Sequence, residues 1–145
     1  MTKRLRLVEQ ERYTFCYPAR VEPRDISPGG HLGADNIVML LSLARAYVFH
    51  SMGLAQEDLG DGVGIVMVDI AVNYKAEAFL FDEVAVDTQF GAFVQKGFSI
   101  YQRVRKGKKV LALAETGILT FDYRSRKVAP VPERFLKALA ARRKE

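Results

Sequence analysis

Thiols and imidazoles are scarce in this chain: Cys16 is the sole cysteine, and His31 and His50 are the only histidines. One thiol cannot close an intramolecular disulfide. A thiol and two imidazoles also fall short of the usual ligand set of a structural zinc centre, so no metal is expected. The charged segment Met1 to Arg12 lacks the apolar middle of a secretory signal, and with the lone cysteine it points to a cytoplasmic protein. No charge-free run reaches the length of a membrane span. Also missing are an aromatic stacking motif of the R-G-F-x-F kind, a strand–GxGxxG–helix fingerprint, a G-x-S-x-G elbow, internal repeats and low-complexity tracts. These absences argue against RNA-stacking sheets, dinucleotide folds and a serine-hydrolase elbow.

What is present suits one domain over residues 1–145, 49% of which are hydrophobic, with enough chain for a substantial core. The net charge of +5 is unevenly placed. Arg103, Arg105, Lys106, Lys108 and Lys109 crowd one hairpin tip, and Arg124, Arg126 and Lys127 crowd the next turn. Such tips either keep a surface solvated or bind phosphate.

The stretch Arg24 to Met52 organises the rest. Pro28, Gly29 and Gly30 make its first part a loop, after which Asp35 or Asn36 is expected to cap a helix. Ile37, Leu40, Leu41, Ala44, Tyr47 and Val48 recur at helical spacing, and Val38, Met39, Leu43 and Phe49 make the other side apolar too. A helix apolar nearly all round is expected to be buried. Arg45 and His50 are its strongly polar interior residues; Arg45 is expected to pair with a carboxylate, and Gly53 to stop the helix.

Strands are expected at Arg12 to Glu22, with Pro18 marking an edge or bulge, and at Ile65 to Tyr74, with Val66, Val68, Ile70, Val72 and Tyr74 on one face. Three more follow at about Glu83 to Val94, Phe98 to Arg105 and Lys109 to Tyr123. The short links Gln95-Lys96-Gly97 and Lys106-Gly107-Lys108 demand antiparallel hairpins. After Pro130 and Pro132, Glu133 to Arg143 reads as a short amphipathic helix, apolar at Phe135, Leu136 and Leu139. The consistent α+β solution is a curved antiparallel five-stranded sheet wrapped around the long central helix. Its free edges suggest pairing with a second subunit.

This arrangement, with its residues, resembles the hot-dog fold of 4-hydroxybenzoyl-CoA thioesterase-like acyl-CoA thioesterases. That family carries D-x-D-x-x-G-H-V-N-N followed by a helical E-A-R element. Here Asp25-Ile26-Ser27-Pro28-Gly29-Gly30-His31-Leu32, then Ala44-Arg45, lies against it without gaps. Val72-Asn73-Tyr74, Phe81-Asp82-Glu83-Val84, Glu115-Thr116-Gly117, Phe121-Asp122 and Pro130-Val131-Pro132 are similar to later family elements. The family's catalytic carboxylate is the second acid of D-x-D, where this chain has Ser27, and its two asparagines become Gly33 and Ala34.

The resemblance implies hydrolysis of an acyl thioester carried on CoA or an acyl-carrier protein, CoA being part of the substrate and no separate cofactor being needed. It also implies a homodimer or homotetramer; no nucleic-acid partner is expected, because no aromatic stacking motif accompanies the basic tips, and binding there is the weaker third reading. Thioester hydrolysis needs a carbonyl polariser and a group that activates water or attacks. The candidate polarisers are the backbone N–H groups of Gly33 and Ala34 at the helix start, the family's donor falling at Ala34. His31, Asp25, Asp35 and Ser27 are the candidate base, orienting acid and nucleophile. Against these stand simpler roles: Asp35 as helix cap, Asp25 closing a turn, Ser27 hydrogen-bonding water or thioester. Phe79, Phe81, Phe90, Phe93 and Phe98 are core residues or an acyl pocket. Arg103, Arg105, Lys106, Arg124 and Arg126 are the candidate CoA-phosphate ligands. The alternative reading is an acyl-thioester binding protein without catalysis, since Ser27 replaces the acid.

Overall fold

The computed structural model describes residues 3–143. Its strands are β1 (Phe15–Arg20), β2 (Val63–Tyr74), β3 (Glu83–Val94), β4 (Gly97–Lys106), β5 (Lys109–Asp122) and a two-residue β6 (Lys127–Val128). The helices are α1 (Ala34–Ser51) and α2 (Glu133–Arg143). The hairpins joining β3 to β4 and β4 to β5 turn over two residues each, with Gly107 at φ +57° in the second. The antiparallel sheet runs β1-β3-β4-β5-β2, and β6 adds to β5. Pro18 sits on β1, an outer strand, where its missing N–H costs no interior ladder bond.

Helix α1 crosses one face of the sheet over β1, β3 and β4. Ile37, Leu40, Leu41 and Ala44 pack with Val84, Val86, Val104 and Leu111 in one half of the core. In the other half, Val48 and Phe49 meet Phe15, Phe90, Phe98, Phe135 and Leu139. The chain reverses after α1 as expected. Gly53 at φ +73° lets its own N–H reach the carbonyl of His50 and the N–H of Leu54 reach that of Phe49.

Four expectations need correction. The helix is not surrounded: Val38, Met39, Leu43 and Tyr47 are exposed, because the sheet covers one side only. Its N-cap is Gly33, not Asp35 or Asn36; Asp35 Oδ1 accepts from the neighbouring N–H of Asn36, one residue inside the helix. On β2 a bulge between Met67 and Asp69 resets the alternation. Met67 lies opposite Ile118 and Ile70 opposite Thr116, so Ile65, Met67, Ile70, Val72 and Tyr74 share the helix-facing side. Val68 is the extra residue of the bulge, and Asp69 after it pairs with Gly117, whose N–H its carboxylate accepts at 3.0 Å. Within α2, Phe135 and Leu139 are buried as expected, but Leu136 is exposed.

The segment before β1 crosses the opposite face of the sheet. Asn73 holds the N–H of Leu7 and the carbonyl of Leu5, Glu9 pairs with Arg103, and the Arg103 guanidinium stacks on Tyr13.

Candidate active site

The loop from Asp25 to Gly33 is a small hydrogen-bonded unit. The Ser27 N–H donates to the His31 carbonyl and the Gly30 N–H to the Ser27 carbonyl, with Gly30 at φ +82°, a conformation open to glycine. The Leu32 N–H donates to the Ala78 carbonyl, tying the loop to the segment after β2. This fixes His31 beside the start of α1. Its Nδ1 lies 2.9 Å from the Leu32 carbonyl oxygen. A carbonyl only accepts, so Nδ1 carries a proton in this contact, and in the neutral ring the lone pair is on Nε2.

His31 and Ala34 line one cavity of about 310 Å³ together with Ile37, Tyr74, Lys75 and Glu77. The Ala34 N–H, first of the helix, has no intrahelical acceptor and no other hydrogen bond among the described residues. The residue with the free amide, at the positive end of the α1 dipole, and the histidine thus border one partly apolar space. The Tyr74 hydroxyl donates to the Ala34 carbonyl at 3.1 Å, pinning β2 to the helix start.

The other candidates are placed elsewhere. The Gly33 N–H is taken, donating to the Asp25 carbonyl at 3.0 Å, so of the two proposed amide donors Ala34 alone is free. The Asp25 carboxylate accepts the Glu22 N–H at 2.8 Å and closes the 3₁₀ turn Pro23–Asp25. It borders a different cavity, beside Tyr17, Glu22, Met39 and Leu43, and does not orient His31. Ser27 Oγ donates to the His31 carbonyl at 3.1 Å, not to the ring. Asp35 is exposed and turned along its own helix. Of the phenylalanines, Phe90 and Phe98 are core, Phe79 and Phe81 are exposed, and none lines the helix-start cavity. Sequence reasoning missed Tyr74 as a pinning residue and Glu77 as a carboxylate at the cavity. The alternation of β2 placed Tyr74 on a face but not against the helix, and Glu77 stands in an unpatterned connection.

Most of the basic residues have partners. Asp87, buried on β3, accepts from Arg103 and from Arg105 at 2.8 and 2.6 Å. Burial alone would raise the Asp87 pKa, but hydrogen bonds from Arg105 and Arg103 outweigh it, and the carboxyl titrates below its ordinary value. Lys106 pairs with Asp82 at 2.9 Å. Arg124 donates to the Asp61 carbonyl, and Arg126 lies over Phe121 and Tyr123 at the other end of β5. Arg103 and Arg105 border a groove with Lys108, whereas Arg124 and Arg126 are remote from it.

A family model described as the thioesterase-like superfamily matches residues 21–139. The chain belongs to that superfamily. The match contains the loop, α1, the sheet from β2 onward and most of α2. No curated protein sequence matches. Among solved structures, a 1,4-dihydroxy-2-naphthoyl-CoA thioesterase from Synechocystis is 20% identical with a TM-score of 0.77, over 87% of this chain and 95% of its own. The gentisyl-coenzyme A thioesterase BH1999 is 21% identical with a TM-score of 0.75, over 86% and 99%. The protein SAV2348 from Staphylococcus aureus, solved in complex with CoA, is 17% identical with a TM-score of 0.79, over 96% and 89%. These likenesses establish the hot-dog fold for the superfamily member described here.

Proposed function

We propose that the protein hydrolyses an acyl thioester of CoA at the cavity beside the start of α1. The observation that carries this reading is that Ala34, whose N–H is free, and His31, whose Nδ1 is held by the Leu32 carbonyl, line the same cavity. Superfamily membership supports thioester hydrolysis in general, and the structural neighbours named for CoA thioesters or solved with CoA support the CoA carrier.

The chemistry follows from the groups available. The thioester carbonyl oxygen accepts from the Ala34 amide, and a water beside His31 attacks the carbonyl carbon. Its proton passes to Nε2, and the Ala34 N–H stabilises the oxyanion. Collapse breaks the carbon–sulfur bond, and the imidazolium returns its proton to the departing thiolate. Glu77, at the same cavity, is a further carboxylate able to hold the water or take the proton. The groove of Arg103, Arg105 and Lys108 suits the CoA phosphates, because Asp87 and Glu9 do not cancel all of its charge.

The test is thiol release from short, long and aromatic acyl-CoAs. Saturable turnover of at least one is the expected result; none across the panel rejects hydrolysis. One observation favours binding without catalysis: position 27, where the resemblance places an acid, is a serine bonded to a backbone carbonyl. That reading expects acyl-CoA to raise the melting temperature without turnover, and Ser27→Asp to introduce activity.

A further inference from the structure

A second cavity, of about 260 Å³, lies under the middle of α1, away from the helix start. Arg45 reaches into it, between apolar walls of Ile65, Met67 and Ile118, with Tyr123 and Glu57 at its border. Arg45 is only 6% exposed, yet its Nη1 has no hydrogen-bond partner among the described residues, and no carboxylate there forms an ion pair with it. The expected carboxylate partner is thus missing among the described residues. Glu57 is exposed, and the Tyr123 hydroxyl is committed to the Ile65 carbonyl at 2.6 Å.

Two more buried polar atoms lack partners, Gln102 Oε1 and Thr116 Oγ1. Ile100 opposes Thr116 and Gln102 opposes Ala114, so both side chains stand on the same face of the adjoining strands. Gln102 reaches the Leu41 carbonyl, one helical turn before Arg45, and Thr116 is two residues from the lining Ile118 on the same face. These two stand on the sheet face that α1 covers, outside the residues that line the cavity, so Arg45 is the orphaned group within it. A guanidinium stays charged, and burying it without a compensating partner is unfavourable. An occupant that offers a carboxylate supplies what Arg45 lacks, and the apolar walls suit a short hydrocarbon attached to it.

We propose that this cavity is a receptor for the carboxylate of a small organic acid, with Arg45 as its anchoring cation. That carboxylate has two chemical sources: the far end of a dicarboxylic acyl group on the thioester, or a free acid. Arg45 lies eleven residues beyond Ala34 on α1, about 16 Å at the helical rise, too far for a short acyl group to bridge within one chain. A second copy set antiparallel along β2 would bring its Arg45 cavity toward the first copy's helix start.

The test has two arms, and only the second rests on the thioesterase reading. In the first, melting temperature is followed against glutarate, succinate and benzoate, with neutral glutaramide as control, at constant ionic strength. The wild type is expected to rise with acid and not with glutaramide, and Arg45→Met to lose the response while Arg45→Lys keeps part of it. In the second, kcat/KM for glutaryl-CoA is compared with that for pentanoyl-CoA; the wild type is expected to favour glutaryl, and Arg45→Met to reduce the ratio at least tenfold. Stabilisation by acids without a glutaryl preference assigns the site to a free acid, and a preference assigns it to the acyl group. No acid response and no preference, while pentanoyl-CoA is still hydrolysed, overturns the carboxylate site and leaves the thioesterase standing. A response seen only in Glu57→Gln would make Glu57 the cavity's own occupant and also overturn it.

Discussion

At the scale of single residues, His31 and Asp25 separate chemistry from scaffolding. They are six positions apart in one loop, but only His31 faces the helix-start cavity. Replacing His31 with Ala is expected to reduce kcat/KM for the best acyl-CoA at least about tenfold, equivalent to about 1.4 kcal/mol of barrier, with little change in melting temperature. Asp25→Ala should do the reverse, since it removes the acceptor of the Glu22 N–H: about 1 kcal/mol lost in denaturant unfolding, with kcat/KM within a few fold of wild type. A tenfold loss in Asp25→Ala alone would return the carboxylate to the mechanism. Asp87 carries a pH signature. Its folded pKa lies below the ordinary 3.8, so the ionised pair stabilises the fold above that value and the stabilisation fades as pH falls through the folded pKa. Asp87→Asn leaves Arg103 and Arg105 facing each other without their shared acceptor, and a loss of about 3 kcal/mol is expected at pH 7. Urea unfolding at pH 7 and at progressively lower pH below 3.8 checks it: the gap between the two proteins must narrow with acid, and a constant gap would mean that packing, not charge, was lost.

At the scale of elements, local patterns were legible wherever the signal is periodic. The hairpins read directly from Gln95-Lys96 and Gly107-Lys108, because two-residue links permit only antiparallel neighbours. The end of α1 read from Gly53, and α2 from Glu133 to Arg143. The helix start was less legible. Asp35 and Asn36 look like caps, but Gly33 takes that position while the Asn36 side chain donates to the Asp25 carbonyl. A residue competing between cap and loop is decided by tertiary partners the sequence does not display. The bulge at Val68 was hidden for the same reason, since the neighbouring Asp69 carboxylate is fixed by the distant Gly117 N–H. Likewise, the basic tips looked free because Asp87 and Asp82, which hold them, lie on another strand and in another loop. α2 offers a test of whether it only ends the chain or belongs to the core. Phe135 is fully buried, with ring centroids 5.8, 5.3 and 5.1 Å from Phe49, Phe90 and Phe98. Phe135→Ala is expected to cost about 3–5 kcal/mol in chemical denaturation. A cost below about 1 kcal/mol would show that the cluster closes without α2.

At the scale of the whole molecule, exposed apolar surface collects where one copy of the chain leaves its sheet unfinished. α1 lies over β1, β3 and β4 and meets β2 at the Tyr74–Ala34 hydrogen bond, so much of the helix-facing side of β2 is uncovered, and Met67, Ile70 and Tyr74 stand there 52%, 39% and 51% exposed. The outer face of α1 adds Met39, Leu43 and Tyr47. β2 is twelve residues long and pairs on one side only, with β5. Outer strands that stay single are usually short, charged or interrupted by proline; β2 has one bulge and one acid, Asp69, whose carboxylate is turned to Gly117. A second copy laid antiparallel along β2 would cover the apolar residues and pair the free backbone. By two-fold symmetry it would also set the Tyr74 end of one strand, which bounds the His31 cavity, near the Met67 end of the other. The expectation is therefore a homodimer in sedimentation equilibrium. Ile70→Lys puts two like charges into that symmetric contact and should shift the population to monomer with the fold intact by circular dichroism. If the cavity is completed across the pair, thiol release should fall with dimer content and recover at high protein concentration. A monomeric wild type, or a monomeric Ile70→Lys with full activity, would mean that each copy of the site works alone.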